Sequence, residues 1–199
     1  MKKQDILMVG VGGQGIILAS DIMSETALGA GYDVKKTDTL GMAQRGGSVV
    51  SHVRIASQVW SPLLKEGEVD ILLAFEKLEA ARWSYYLHPS GAAIVNNQTI
   101  PPLSVNLGTQ QYPSDEEIEN ILKRQTERIY FVDGTSRARE LGDIRALNMF
   151  LLGCASLFLP IDVHVWKECM SQRIPPKILQ INIAAFDQGR KEASNVNLR

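Results

Sequence analysis

The run Gly10-Val11-Gly12-Gly13-Gln14-Gly15 follows the apolar stretch Ile6-Leu7-Met8-Val9 and precedes apolar residues at helical spacing, Ile16, Ala19, Met23 and Ala27. Between a strand and a helix, a G-x-G-x-x-G string suits an anion. Gly10 permits a tight turn, Gly12 lets the backbone approach a ligand, and Gly15 lets the helix pack closely. Exposed amides and the helix dipole then favour a phosphate or carboxylate. The alternative is a tight turn with no ligand. A dinucleotide asks for more, a carboxylate about 20 residues further on to hold the ribose. Asp33-Val34-Lys35-Lys36-Thr37-Asp38 occupies that region, with lysines where the acid belongs. Lys35 and Lys36 read either as phosphate contacts or as solvated strand-end charges. No Gly-Lys-Ser/Thr follows the glycines, so the loop is not a P-loop.

A second stretch, Gly41-Met42-Ala43-Gln44-Arg45-Gly46-Gly47-Ser48-Val49, sets a lone arginine before paired glycines and a serine. Backbone amides plus a guanidinium form a concave anion site. A bulged turn whose Arg45 pairs with a neighbouring chain fits the same residues. Glu76 and Asp133-Gly134-Thr135 end apolar runs. Each reads as a ligand-facing group at a strand end, or as a carboxylate favoured by a helix N-terminus. Arg137, Arg139 and Arg145 form a basic cluster read as a solvated or inter-subunit face.

The elements that must position these groups follow from periodicity. Residues 6–9 read as a strand covered on both faces, 14–30 as a helix closed by Gly29 and Gly31, and 32–37 as a second strand. Strand, helix and strand make a βαβ unit with parallel strands. Alternation predicts a strand over 49–55, and apolar runs predict strands over 69–75, 92–96 and 129–132, with a helix through Leu78, Ala81 and Tyr85. Residues 97–113, with three prolines, read as a loop. A helix over 115–126 begins at Ser114, with Glu117 completing a capping box. From Thr135 onward the pattern is helical. The apolar segment 146–159 is most simply core; covering a partner surface is the other reading. The fold class is α/β: a Rossmann-like, open, mostly parallel sheet flanked by helices, one domain over 1–199 with a helical part from about 135.

GVGGQG after an N-terminal strand, GMAQRGGSVVSHVRI some thirty residues later and VDILLAFEKLEAAR together resemble the gamma-type subunit of 2-oxoacid:ferredoxin oxidoreductases, most of all the small subunit of the indolepyruvate type. The resemblance covers at least residues 5–160. It implies an enzyme that oxidatively decarboxylates a 2-oxoacid, here an arylpyruvate, to an acyl-CoA and passes electrons to ferredoxin. It places thiamine diphosphate and the iron–sulfur clusters on a larger partner subunit, leaving this chain a non-cluster component that is inactive alone. Gly10, Gly12, Gly13, Gln14, Gly15, Gln44, Arg45, Gly46, Gly47 and Ser48 are then the candidate cofactor-binding residues, with coenzyme A as the shared ligand. A stand-alone NAD(P)- or flavin-dependent oxidoreductase and a non-enzymatic binding module are the rival readings. The isolated chain is expected to self-associate through exposed apolar surface.

Composition fits that division of labour. A net charge of -1 gives no electrostatic footprint for nucleic acid. Two cysteines, Cys154 and Cys169, are too few for a cysteine-ligated cluster. His52, His88 and His164 show no metal-ligand spacing, so no metal is expected. The N-terminus enters a strand at once and the longest apolar run is too short to cross a bilayer, so a cytoplasmic location without membrane contact is expected.

Overall fold

A computed structural model describes residues 3–41 and 47–195. Its centre is a six-stranded sheet of β1 (Gln4–Val11), β2 (Asp33–Leu40), β3 (Ser48–Ala56), β4 (Val69–Ala74), β5 (Leu87–Asn96) and β6 (Arg128–Val132). The spatial order is β2-β3-β1-β4-β5-β6. β1, β4, β5 and β6 are mutually parallel. β3 runs antiparallel to both its neighbours, β1 and β2.

This corrects one expectation in part. β1 and β2 do point the same way across helix α1 (Ile16–Gly29). They are not neighbours, because β3 lies between them. Only residues 41–47 join β2 to β3, and a parallel return needs a crossover of about a dozen residues or more. A hairpin was therefore the available solution.

Alternation sorts the sheet's side chains onto two faces. Ile6, Met8, Val53, Ile71 and Leu73 meet α1, α6 (Leu147–Ala155), α7 (Val163–Arg173) and α8 (Pro176–Asn195). Leu7, Val9, Val50, Leu72 and Val95 meet α2 (Lys77–Trp83) and α4 (Asp115–Lys123). The short α3 (Leu103–Asn106) interrupts the expected loop, and α5 (Gly134–Glu140) follows β6. The capping box at Ser114 and Glu117 is present, though α4 ends at Lys123, short of the expected Thr126. Every residue of α6 is buried within the chain, chiefly under α8, so α6 is core rather than a partner-facing surface.

His52 on β3 is buried, and its Nδ1 accepts a hydrogen bond from the Leu64 amide at 3.3 Å. Burial and the nearby Arg54 hold the imidazole below its ordinary value of 6.5, against the opposing pull of Asp38. The unfolded chain therefore binds a proton here that the folded chain refuses. Stability present above pH 6.5 should fall as pH drops through the folded pKa. Urea midpoints from pH 8 to pH 5 check this, with about pH 6.5 as the start of the decline, and His52→Gln should lose this part of the slope.

Candidate functional site

α1 packs on one face of the sheet and α2 on the other, although β1 and β4 are adjacent parallel strands. The chain thus reverses its winding between β1 and β4, which opens a crevice at their carboxyl ends. The glycine loop lies there. Positive φ falls at Gly13 (φ 106) and Gly15 (φ 80), not at Gly10. Gly10 belongs to β1; a Cβ there would stand 2.8 Å from both Gln14 Oε1 and Phe75 Cβ.

Gln14 holds the loop in place. Its Oε1 accepts from the Val11 amide at 2.8 Å, and its Nε2 donates to the Phe75 carbonyl at 2.9 Å. Asn96, at the end of β5, donates to the same carbonyl at 3.0 Å and to Thr135 Oγ1 at 2.9 Å. Thr135 in turn donates to Gln98 Oε1 at 2.7 Å. One polar network therefore spans the ends of β1, β4, β5 and β6.

The two sequence motifs are neighbours. The Gly12 amide donates to the Gly47 carbonyl at 2.9 Å, and Val11 pairs with Ser48 in the β1–β3 ladder. Gly41 donates to the Ser48 carbonyl at 2.9 Å, closing the base of the turn. Ser48 Oγ donates to Glu79 Oε2 at 2.5 Å, and buried Glu79 also pairs with Arg82. Of the candidate residues, Gly10, Gly12, Gly13, Gln14, Gly15, Gly47 and Ser48 converge here. Gln44, Arg45 and Gly46 lie outside the described residues.

Beside the glycine loop is a cavity of about 570 Å³, walled also by residues of the 143–148 segment and the α7–α8 junction. Gln98, Asn148 and Asn182 line it, and none of the three stood out in the sequence. Asn148 carried a signal, a polar residue inside an apolar buried run.

The remaining candidates are structural. Glu76 Oε2 accepts from the Glu79 amide, capping α2, while Oε1 accepts from Ile100 N and Tyr112 OH. Burial and the Glu76 carboxylate push the Tyr112 phenol well above its usual range. Lys36 pairs with Asp21 and Asp38, and Lys35 with Asp33, so neither reads as a free phosphate contact. With β3 interposed, the end of β2 lies two strand spacings from β1, about 9–10 Å, which removes the neighbour relation a dinucleotide ribose site uses. Arg137 pairs within the chain, with Glu140 and Glu192, and Arg145 with Asp143. Among the described residues no three His, Cys, Asp or Glu side chains gather as a metal site, and no helix is long and apolar enough to cross a membrane.

The pyruvate ferredoxin/flavodoxin oxidoreductase family model matches residues 5–192. The chain belongs to that family. A full-length relative in Pyrococcus horikoshii, indolepyruvate oxidoreductase subunit IorB, is 36% identical over 199 residues, covering 98% of each chain. Among solved structures, the keto/oxoacid ferredoxin oxidoreductase gamma subunit of Geobacter sulfurreducens superposes with a TM-score of 0.71 at 24% identity, covering 96% of this chain and 99% of that one. The 2-oxoglutarate:ferredoxin oxidoreductase of Magnetococcus marinus gives 0.75 at 23% identity, with 98% of this chain matching 32% of that longer chain. These two likenesses establish the oxidoreductase family's α/β fold for the chain.

Proposed function

We propose that the chain is the small, cluster-free subunit of an indolepyruvate-type 2-oxoacid:ferredoxin oxidoreductase that works in the cytoplasm with a larger partner. The full-length match to a subunit named for indolepyruvate carries this reading. In such an enzyme the 2-oxoacid loses carbon dioxide, its acyl group joins coenzyme A, and two electrons leave for ferredoxin. Thiamine diphosphate and iron–sulfur clusters on the partner supply the decarboxylation and the electron path. This chain's own two cysteines, both buried, do not fit a cluster.

The chain's part is positional. The glycine loop and the 41–48 turn meet at Gly12 and Gly47 and offer backbone amides at a strand switch point. The turn contributes to the coenzyme A region of the assembled enzyme, with Arg45 supplying a guanidinium, and the glycine loop holds the base of that turn through the Gly12–Gly47 bond. The Magnetococcus enzyme, alike in fold, is described with 2-oxoglutarate, coenzyme A and succinyl-CoA bound.

Co-expression with a thiamine- and cluster-bearing large subunit tests the assignment. The pair should co-purify and reduce a dye in the presence of indolepyruvate and coenzyme A, while either chain alone is inactive. Absence of a complex would remove the subunit reading. In the active pair, Arg45→Ala should raise the KM for coenzyme A about tenfold or more, the loss of one charge-assisted contact. Unchanged coenzyme A kinetics would take Arg45 out of the site.

A further inference from the structure

The cavity beside the glycine loop holds donors that find no acceptor among the described residues. The amides of Gly13 and Gly15, both on the cavity wall, have no acceptor among the described residues, and no side chain among them caps α1. Asn148 is 4% exposed and lines the cavity. Its Oδ1 accepts from the Met149 amide, whereas its Nδ2 has no partner among the described residues. That Nδ2 stands 2.8 Å from where a Cβ on Gly15 would be, so it borders the head of α1 directly. A side-chain amide on the cavity wall offers two N–H bonds to an acceptor placed there.

The charge around these donors is low. The charged residues lining the cavity are Asp143, Arg145 and Arg173. Arg145 makes a two-point pair with Asp143, at 2.8 Å and 3.0 Å. Arg173 is drawn to Asp21 and Glu25 at 3.4 and 3.3 Å. With both guanidiniums already matched, neutral donors and one helix dipole of about half a charge remain. That suits one negative charge and does not balance several phosphates. Most of the rest of the wall is aliphatic, including Leu18, Ile144, Ile174 and Ile178. Such a mixture, at this volume, is that of a site for a small organic molecule.

We propose that this cavity binds an organic monocarboxylate with an apolar body, the carboxylate on the glycine-loop amides and Asn148 Nδ2, the body against the aliphatic wall. Such binding needs no partner subunit, so its failure leaves the subunit assignment untouched. Aromatic and aliphatic bodies share this chemistry, and the probes separate them.

Isothermal titration of the full chain with indole-3-acetate and with decanoate tests the site, with indole-3-acetamide as the uncharged comparison. At least one acid should bind saturably at one per chain, and the amide about tenfold or more weaker, the loss of a charge-assisted contact. Asn148→Leu should weaken that acid about tenfold, and Ile178→Trp, which fills the cavity from a partly exposed position, should abolish binding. Melting curves check that each variant is folded; if Asn148→Leu is not, Ile178→Trp decides. Absence of saturable binding by both acids, equal binding of indole-3-acetate and its amide, or unchanged affinity in Ile178→Trp would overturn the assignment. Tighter binding of inorganic phosphate or AMP than of either acid, lost in Ile178→Trp, would overturn it too, and would give the cavity to a phosphate ligand.

Discussion

Gly189→Ala should lower the stability of the folded chain by about 3–5 kcal/mol, a drop of roughly 6–20 °C in melting temperature for a chain of this size. Gly189 on α8 and Gly153 on α6 are both buried where the two helices cross. A Cβ at 189 would be driven into the Phe150 carbonyl oxygen, and one at 153 into the Phe186 carbonyl. These obstacles are backbone atoms of a packed helix, so no side-chain rotation relieves them. The Cys154 thiol, donating to the Gly189 carbonyl at 3.4 Å, fixes the same close approach from a third position. Burial pushes that thiol well above the usual cysteine range, so it acts here as a small packed group. Separation of α6 from α8 would uncover the apolar layer beneath, including Phe150, Phe186 and Trp166. Circular dichroism melts of wild type and Gly189→Ala check this; at a helical position without positive φ, Gly→Ala alone favours the helix by about 1 kcal/mol, so a loss reports crowding. A Gly189→Ala protein as stable as wild type would mean that α8 sits further from α6.

What the sequence disclosed depended on whether a feature is local. The strand-turn-helix at residues 4–29 was legible because apolar run, glycines and helical spacing are all contiguous. Ser114 and Glu117 were legible for the same reason: a capping box is closed within four residues. The insertion of β3 between β1 and β2 was not foreseen, because strand order depends on pairings between distant segments. Its one local trace is the shortness of 41–47, too few residues for a parallel crossover. Gln98 was invisible as a site residue, and Asn148 showed only as a polar break in an apolar run, since neither a proline-rich loop nor an apolar helix tells what it will face. Gly10 and Gly12 serve packing and backbone bonding in the structure, not the roles that the motif spacing suggests. Gly10 makes room for Gln14 and Phe75, and the Gly12 amide is already bonded to Gly47.

Arg54→Ala should cost about 3 kcal/mol and also weaken the use of coenzyme A by the assembled enzyme, because one ion pair sets the register that joins the two motifs. Asp5 on β1 is fully buried, and Arg54 on β3 is its direct cross-strand partner. The guanidinium meets both carboxylate oxygens, at 2.8 and 3.1 Å. Deleting it strands a buried charge, which is the expensive way to break such a pair; Lys3, at 2.8 Å but half exposed, offsets part of the loss. Replacing both partners, as in Asp5→Asn with Arg54→Met, should recover much of the stability, since no charge is then left unpaired. The functional consequence follows from β geometry. A slip of β3 that keeps its apolar face inward must move by two residues, about 6–7 Å. It would carry Ser48 away from Val11 and Gly47 away from Gly12, separating the 41–48 turn from the glycine loop. Urea denaturation gives the stability term, and the KM for coenzyme A in the co-purified pair gives the register term. A variant that loses stability but keeps its coenzyme A kinetics would show that the β3 hairpin holds its register without Arg54.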